Sequence, residues 1–197
     1  MTTLIAARDK AGNLALGTDS GIFRSYLIDD MGPKWLDLGD WTVMFSGSLF
    51  HPEYLRDLYD ETDGASDPAR HGLFSSEEPG KAARRFAREV WSRSKADGHT
   101  EKSGATTSAS VHLIAAHRPS RRVFMFGGDG GTFEMVGDYV CAGAGEDVAS
   151  GAMAALTRHT SANADTMVER ALRITIDIHA FTGGKPHVRM IRATDDG

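Results

Sequence analysis

A threonine at the second position carries chemistry that few placements offer. Removal of Met1 leaves Thr2 with a hydroxyl and a free α-amine on one residue. That amine titrates at about 7.7–8.0, near the operating pH, whereas a lysine side chain sits near 10.4. Nucleophile and base are then joined, which is how N-terminal threonines work in covalent catalysis. Three further residues fit the same chemistry. Lys34 beside the hydroxyl would favour the alkoxide, and Asp19 would hold Lys34 in place and charged. Gly47 offers a backbone N–H to a tetrahedral oxyanion with no side chain in the way. Each residue also has an ordinary reading. Many chains begin Met-Thr, Asp19 and Lys34 could form a surface ion pair, and Gly47 could serve a tight turn.

These residues matter only if strands bring them together. Residues 3–8 and 14–18 read as strands joined by the turn Asp9-Lys10-Ala11-Gly12-Asn13. Asp19 ends the second. Gly32-Pro33 favours an extended approach to a third strand at 34–38, which turns at Gly39-Asp40 into a fourth at 41–45. Pairing these four would gather Thr2, Asp19 and Lys34 at one end of a sheet.

Helical spacing follows. Tyr54, Leu55, Leu58 and Tyr59 form a stripe after Pro52, and residues 60–78 read as a polar loop. A helix over about 79–94, capped by Ser76, would bury Ala83, Phe86, Ala87 and Val90 and leave Arg84, Arg85 and Arg88 solvated. Residues 95–107 read as a second polar loop, and strands follow at 108–116, 122–126 and 139–142. A helix over 146–159 carries Val148, Ala152, Ala155 and Leu156 on one side. A last helix over about 163–181 carries Met167, Val168, Ala171, Leu172, Ile174, Thr175 and Ile178, and a strand at 187–191 closes the chain. Segregated runs of strands and helices predict an α+β fold. The length of 197 residues predicts one domain over 1–197, with polar insertions near 60–78 and 95–107.

Other chemistries find no support. Gly127-Gly128-Asp129-Gly130-Gly131 has no following Lys-Ser/Thr pair for phosphate and reads as a β turn. Gly143-Ala144-Gly145 joins strand to helix, but Val148 stands where a dinucleotide loop needs its third glycine. With no His-Glu-x-x-His pair and no Cys/His cluster, neither a metal nor another cofactor is expected. The net charge of −5 argues against nucleic acid and anionic membranes as partners. Cys141 is the only cysteine, so no internal disulfide forms. No apolar run reaches a membrane span and no signal-peptide pattern opens the chain, so a cytoplasmic location is expected.

Together Thr2-Thr3-Leu4-Ile5, Gly17-Thr18-Asp19-Ser20, Lys34 and Phe45-Ser46-Gly47-Ser48 resemble the catalytic spine of proteasome β subunits and the bacterial HslV peptidase. Cys141-Ala142-Gly143-Ala144-Gly145 and Ile178-His179-Ala180-Phe181-Thr182-Gly183 resemble the family's second half. The resemblance spans nearly the whole chain and is weakest over residues 60–107. It implies the αββα sandwich of the N-terminal nucleophile hydrolases. It implies Thr2 as nucleophile, Lys34 and Asp19 as its polarising pair, and the Gly47 N–H as oxyanion donor. Phe45 would floor the substrate pocket. No propeptide before Thr2 is expected, as in HslV and the small bacterial homologues. The resemblance further implies a threonine-type peptidase acting on unfolded polypeptides inside a homo-oligomeric double ring, with an ATP-dependent unfoldase as feeding partner. Two positions depart from the family. Ala144 stands where proteasomes place a serine near the threonine amine, and His179 where the archetypal β subunit has an aspartate. The rival readings are an open hydrolase of small amides and a ring-forming homologue with weak or lost activity.

Overall fold

The computed structural model describes residues 2–24, 26–30, 32–47, 55–57, 78–103, 106–109 and 111–193. Its contacts divide into two units, one of residues 1–35, 44–46 and 135–197, the other of 36–43 and 47–134.

The first unit is built on β1 (Thr3–Arg8) and β2 (Leu14–Asp19). Their turn is fixed by Asp9, whose Oδ1 accepts the N–H groups of Ala11 and Asn13 at 3.0 Å each. Gly12 supplies the positive φ of 83° that the turn needs. β12 (Tyr139–Gly143) pairs with β1 and β13 (Pro186–Ile191) with β2, giving the antiparallel order β12-β1-β2-β13. β1 and β2 are buried on both faces, which explains their near-continuous apolar sequence.

Two helices, α2 (Glu146–His159) and α3 (Ala164–Ile178), share a core with this sheet. α3 is buried through Met167, Val168, Ala171, Leu172 and Thr175, as its spacing predicts. Its last turn departs from that prediction, since Ile174 and Ile178 are exposed. In α2 the buried stripe is Ala149 and Met153, flanked by half-buried Ala152 and Leu156, and Ala155 faces solvent. The expected face is thus rotated by one residue, because small alanines mark the stripe weakly.

The second sheet has the order β11-β10-β9-β6-β5. Its strands are β5 (Trp35–Leu38), β6 (Trp41–Gly47), β9 (Val111–His117), β10 (Arg122–Phe126) and β11 (Thr132–Glu134). The glycine-dense segment is the turn between β10 and β11, closed by the Gly127 N–H on the Gly131 carbonyl at 2.9 Å. Helix α1 (Pro79–Ala96) buries Ala83, Phe86, Ala87 and Val90, and Phe86 meets Phe126 edge-on at 5.5 Å. Arg84, Arg85 and Arg88 are exposed, as expected. The cap of α1 is Glu78, whose carboxylate accepts the N–H groups of Gly80 and Lys81. Ser76 lies outside the described residues, as does most of the expected loop at 60–78; of the stripe after Pro52, residues 55–57 are helical.

Three strand readings need correction. Residues 95–107 are not a loop: α1 runs to Ala96, and β7 (Thr100–Ser103) pairs with β8 (Thr106–Ala109). β9 begins only at Val111, so the expected strand over 108–116 is two. The first quarter also contains β3 (Gly21–Arg24) and β4 (Tyr26–Asp30), a bulged hairpin. Thr-Glu-Lys-Ser and the acidic end of β4 lack apolar alternation, so these segments carry little of the pattern by which a strand is read.

Candidate active site

Strand register sets the site. Asp19 ends β2 and Thr3 begins β1, so the Thr3 N–H donates to Asp19 Oδ1 at 2.8 Å. The other carboxylate oxygen accepts the Gly183 N–H at 3.1 Å. Lys34 lies just before β5, and its backbone N–H donates to Thr18 Oγ1 at 3.1 Å. The Phe45 N–H donates to the Lys34 carbonyl at 3.1 Å. The lysine is thereby fixed at its backbone from two sides.

Its side chain points at the threonine. Lys34 Nζ donates to Thr2 Oγ1 and, at 2.6 Å, to the Gly21 carbonyl, with Asp19 Oδ1 3.8 Å away. Thr2 is 2% exposed, Lys34 5% and Asp19 0%, so this ion pair is far from the surface pair of the ordinary reading. Burial pushes the Asp19 carboxyl above its usual value, against the pull of Lys34 and of the Gly183 and Thr3 N–H groups. A cation donating to a hydroxyl in a water-poor site lowers the cost of removing that hydroxyl's proton.

The Thr2 carbonyl is held as firmly. It accepts the Ala144 N–H at 2.9 Å and the Ser46 hydroxyl at 3.0 Å. Gly143, at φ 92°, brings β12 so close that a Cβ there would lie 2.1 Å from the Thr2 oxygen. Ala144 therefore contributes its backbone where its side chain offers no hydroxyl. His179 ends α3, and its Nδ1 meets Thr182 Oγ1 at 3.2 Å.

Among the predicted site residues, Thr2, Asp19, Lys34, Phe45, Ala144 and His179 belong to the first unit and Gly47 to the second. Phe45 is buried, and Gly47 ends β6 at φ 139°, exposed. Sequence reasoning missed Ser46, Gly21 and Thr182 as partners. Ser46 had a signal, a hydroxyl within an otherwise buried strand. Gly21 had none, because it acts through its carbonyl. Among the described residues no group of three or more His, Cys, Asp or Glu could hold a metal ion. No helix of theirs is long and apolar enough to cross a membrane.

No family model and no curated protein matches the sequence. Solved structures do match. The BPH of Thiobacillus denitrificans superposes with a TM-score of 0.76 over 98% of this chain and 100% of its own, at 16% identity. Its complex with epoxomicin gives 0.77 at the same identity, over 98% of this chain and 99% of that one. The chain has the HslV fold. Eukaryotic HslV from Trypanosoma brucei superposes with a TM-score of 0.70 at 18% identity, over 96% of this chain and 99% of its own. The resemblance read from the motifs is thus shown at the level of fold, and the fold type is the N-terminal nucleophile hydrolase one. β1 begins at Thr3, directly after Thr2.

Proposed function

We propose that the protein is a threonine-type peptidase with Thr2, freed of Met1, as its nucleophile. The observation that carries this reading is the buried Lys34 ammonium donating to the Thr2 hydroxyl beside Asp19. In the proposed cycle the Thr2 oxygen attacks a peptide carbonyl. Its proton passes to the α-amine, directly or through water. Lys34 is already a donor in this geometry and stabilises the developing alkoxide. The Gly47 N–H receives the oxyanion. Collapse breaks the C–N bond, and the amine leaves with the proton, giving an ester on Thr2. Water hydrolyses that ester, releases the acid and restores the hydroxyl.

Phe45 is assigned to the floor of the pocket for the residue before the scissile bond, which favours apolar side chains there. The fold shared with HslV supports a ring assembly, to which we add unfolded chains as substrates and an ATP-dependent unfoldase as feeding partner. The BPH complex supports the choice of epoxomicin as probe.

Intact mass, before and after epoxomicin, tests the reading. A mature chain beginning at Thr2 and a single adduct mapping to Thr2 are expected. Active protein that keeps Met1 sinks the mechanism, because an amide nitrogen cannot serve as base. Thr2→Ala should assemble normally and hydrolyse no peptide.

A further inference from the structure

The Thr3 hydroxyl, one residue from the nucleophile, opens a hydrogen-bond chain that starts buried and ends at the half-buried His179. Thr3 Oγ1 lies 3.1 Å from Thr182 Oγ1, which lies 3.2 Å from His179 Nδ1. Distances alone leave the donors open, but a third contact fixes them. The Phe181 N–H donates to the same Nδ1 at 3.3 Å. A nitrogen that accepts an N–H carries no proton, so the Thr182 hydroxyl must donate to it. With its proton so used, Thr182 Oγ1 accepts from Thr3, and the Thr3 hydroxyl donates. The chain runs one way, from β1 to the imidazole.

Its surroundings are shaped to it. Thr3 is 0% exposed and Thr182 4%. A Cβ on Gly145 would lie 2.3 Å from Thr3 Oγ1 and 2.8 Å from Thr182 Oγ1. Gly145 has φ −97°, open to any residue, so space rather than backbone conformation demands glycine there. Thr3 is consequently held twice, through its N–H on Asp19 and through its hydroxyl on Thr182.

We propose that His179 is a positioning residue, whose Nδ1 orients Thr182 and through it Thr3, and so sets how β1 presents Thr2 to Lys34. The inference rests on the reading of Thr2 as nucleophile. It gives His179 a task that needs an acceptor and no charge.

The test is steady-state hydrolysis of a fluorogenic peptide by the assembled protein, with kcat and KM separated. Thr182→Val keeps the shape and removes the hydroxyl, and His179→Leu removes the acceptor. Each should lower kcat by about tenfold, the worth of one hydrogen bond, with KM changed less than about twofold. The double variant should lose no more than either single one, because both cut the same chain. Thr182→Ser and His179→Asn, which keep donor and acceptor, should restore kcat. Gly145→Ala should lower it as Thr182→Val does. Wild-type kcat in Thr182→Val, His179→Asn as impaired as His179→Leu, or additive losses overturn the inference. If His179→Leu fails to assemble, the contrast of Thr182→Val with Thr182→Ser decides. Hydrolysis that survives Thr2→Ala overturns the nucleophile reading and this inference with it. Hydrolysis lost in Thr2→Ala but unchanged in Thr182→Val overturns this inference alone.

Discussion

Lys34 and Asp19 are hidden from water, and each makes the other's charge tolerable. Lys34→Met removes the cation at nearly constant volume and leaves the carboxyl buried without it. Breaking such a pair costs roughly 3–5 kcal/mol, tempered here by proton uptake on a carboxyl already pushed upward. Thermal denaturation should show a clear fall in Tm, and peptide hydrolysis should drop by about a hundredfold or more. Lys34→Arg keeps the charge but changes reach and geometry, so it should recover stability better than activity. Equal recovery of both would mean that charge alone suffices. Cys141 is shifted by burial as well. Burial pushes its thiol up to about 11, so little thiolate exists at pH 8. Alkylation of the native protein there should run about a hundredfold slower than for a free cysteine and quicken as pH rises. The unfolded thiol ionises first, so Cys141 should also weaken stability as pH rises from about 8.5 toward 11. Fast labelling of Cys141 at pH 8 would contradict this environment.

At the scale of elements, the contact of α3 with β2 is set by a residue that lacks a side chain. A Cβ on Gly17 would lie 2.3 Å from Val168 Cγ1 and 2.9 Å from Leu172 Cδ1. Gly17→Ala should therefore cost about 1–3 kcal/mol by overpacking, read by urea denaturation. Gly12→Ala meets nothing within 4 Å and pays only for its positive φ of 83°, so it should cost less. A Gly17→Ala variant as stable as wild type would show that α3 can withdraw freely. This contrast shows what the sequence makes legible. Apolar runs announced β1, β2, β10 and β12, and 3.6-residue spacing announced the three long helices of the described residues. The β7–β8 hairpin carries little apolar pattern, so nothing at the sequence level separated it from a loop, whereas Ile22-Phe23 and Tyr26-Leu27-Ile28 of β3–β4 are strand formers that sequence reasoning missed. The Thr2–Asp19–Lys34 group was legible because its chemistry needs those side chains. Gly21 acts through a backbone carbonyl and Ala144 through a backbone N–H, and sequence does not announce a main-chain donor or acceptor.

At the scale of the whole molecule, an unshielded threonine peptidase would threaten every unfolded chain it met, and a closed assembly removes that hazard. A closed assembly needs large apolar side chains at its contacts. Trp91 is half-buried and packs beside Gly130, while Phe50 and Tyr54 lie outside the described residues. The apolar side chains left open in the first unit include Ile174, Ile178 and Phe181, exposed by 38%, 69% and 45% at the end of α3 and just after it. Such a group on one helix end is costly in water, and a second copy of the chain would cover it. Sedimentation velocity of freshly purified protein should therefore show a species many times the 21.2 kDa of one chain. Ile178→Glu, far in sequence from Thr2, should shift that species toward smaller ones, because a carboxylate desolvated in an apolar contact has no partner. Peptide hydrolysis should fall with the assembly if the ring completes the site, and survive dissociation if each subunit is complete alone. A monomer or dimer that keeps full activity across the micromolar range would reject the ring and leave an open amidase with the same nucleophile.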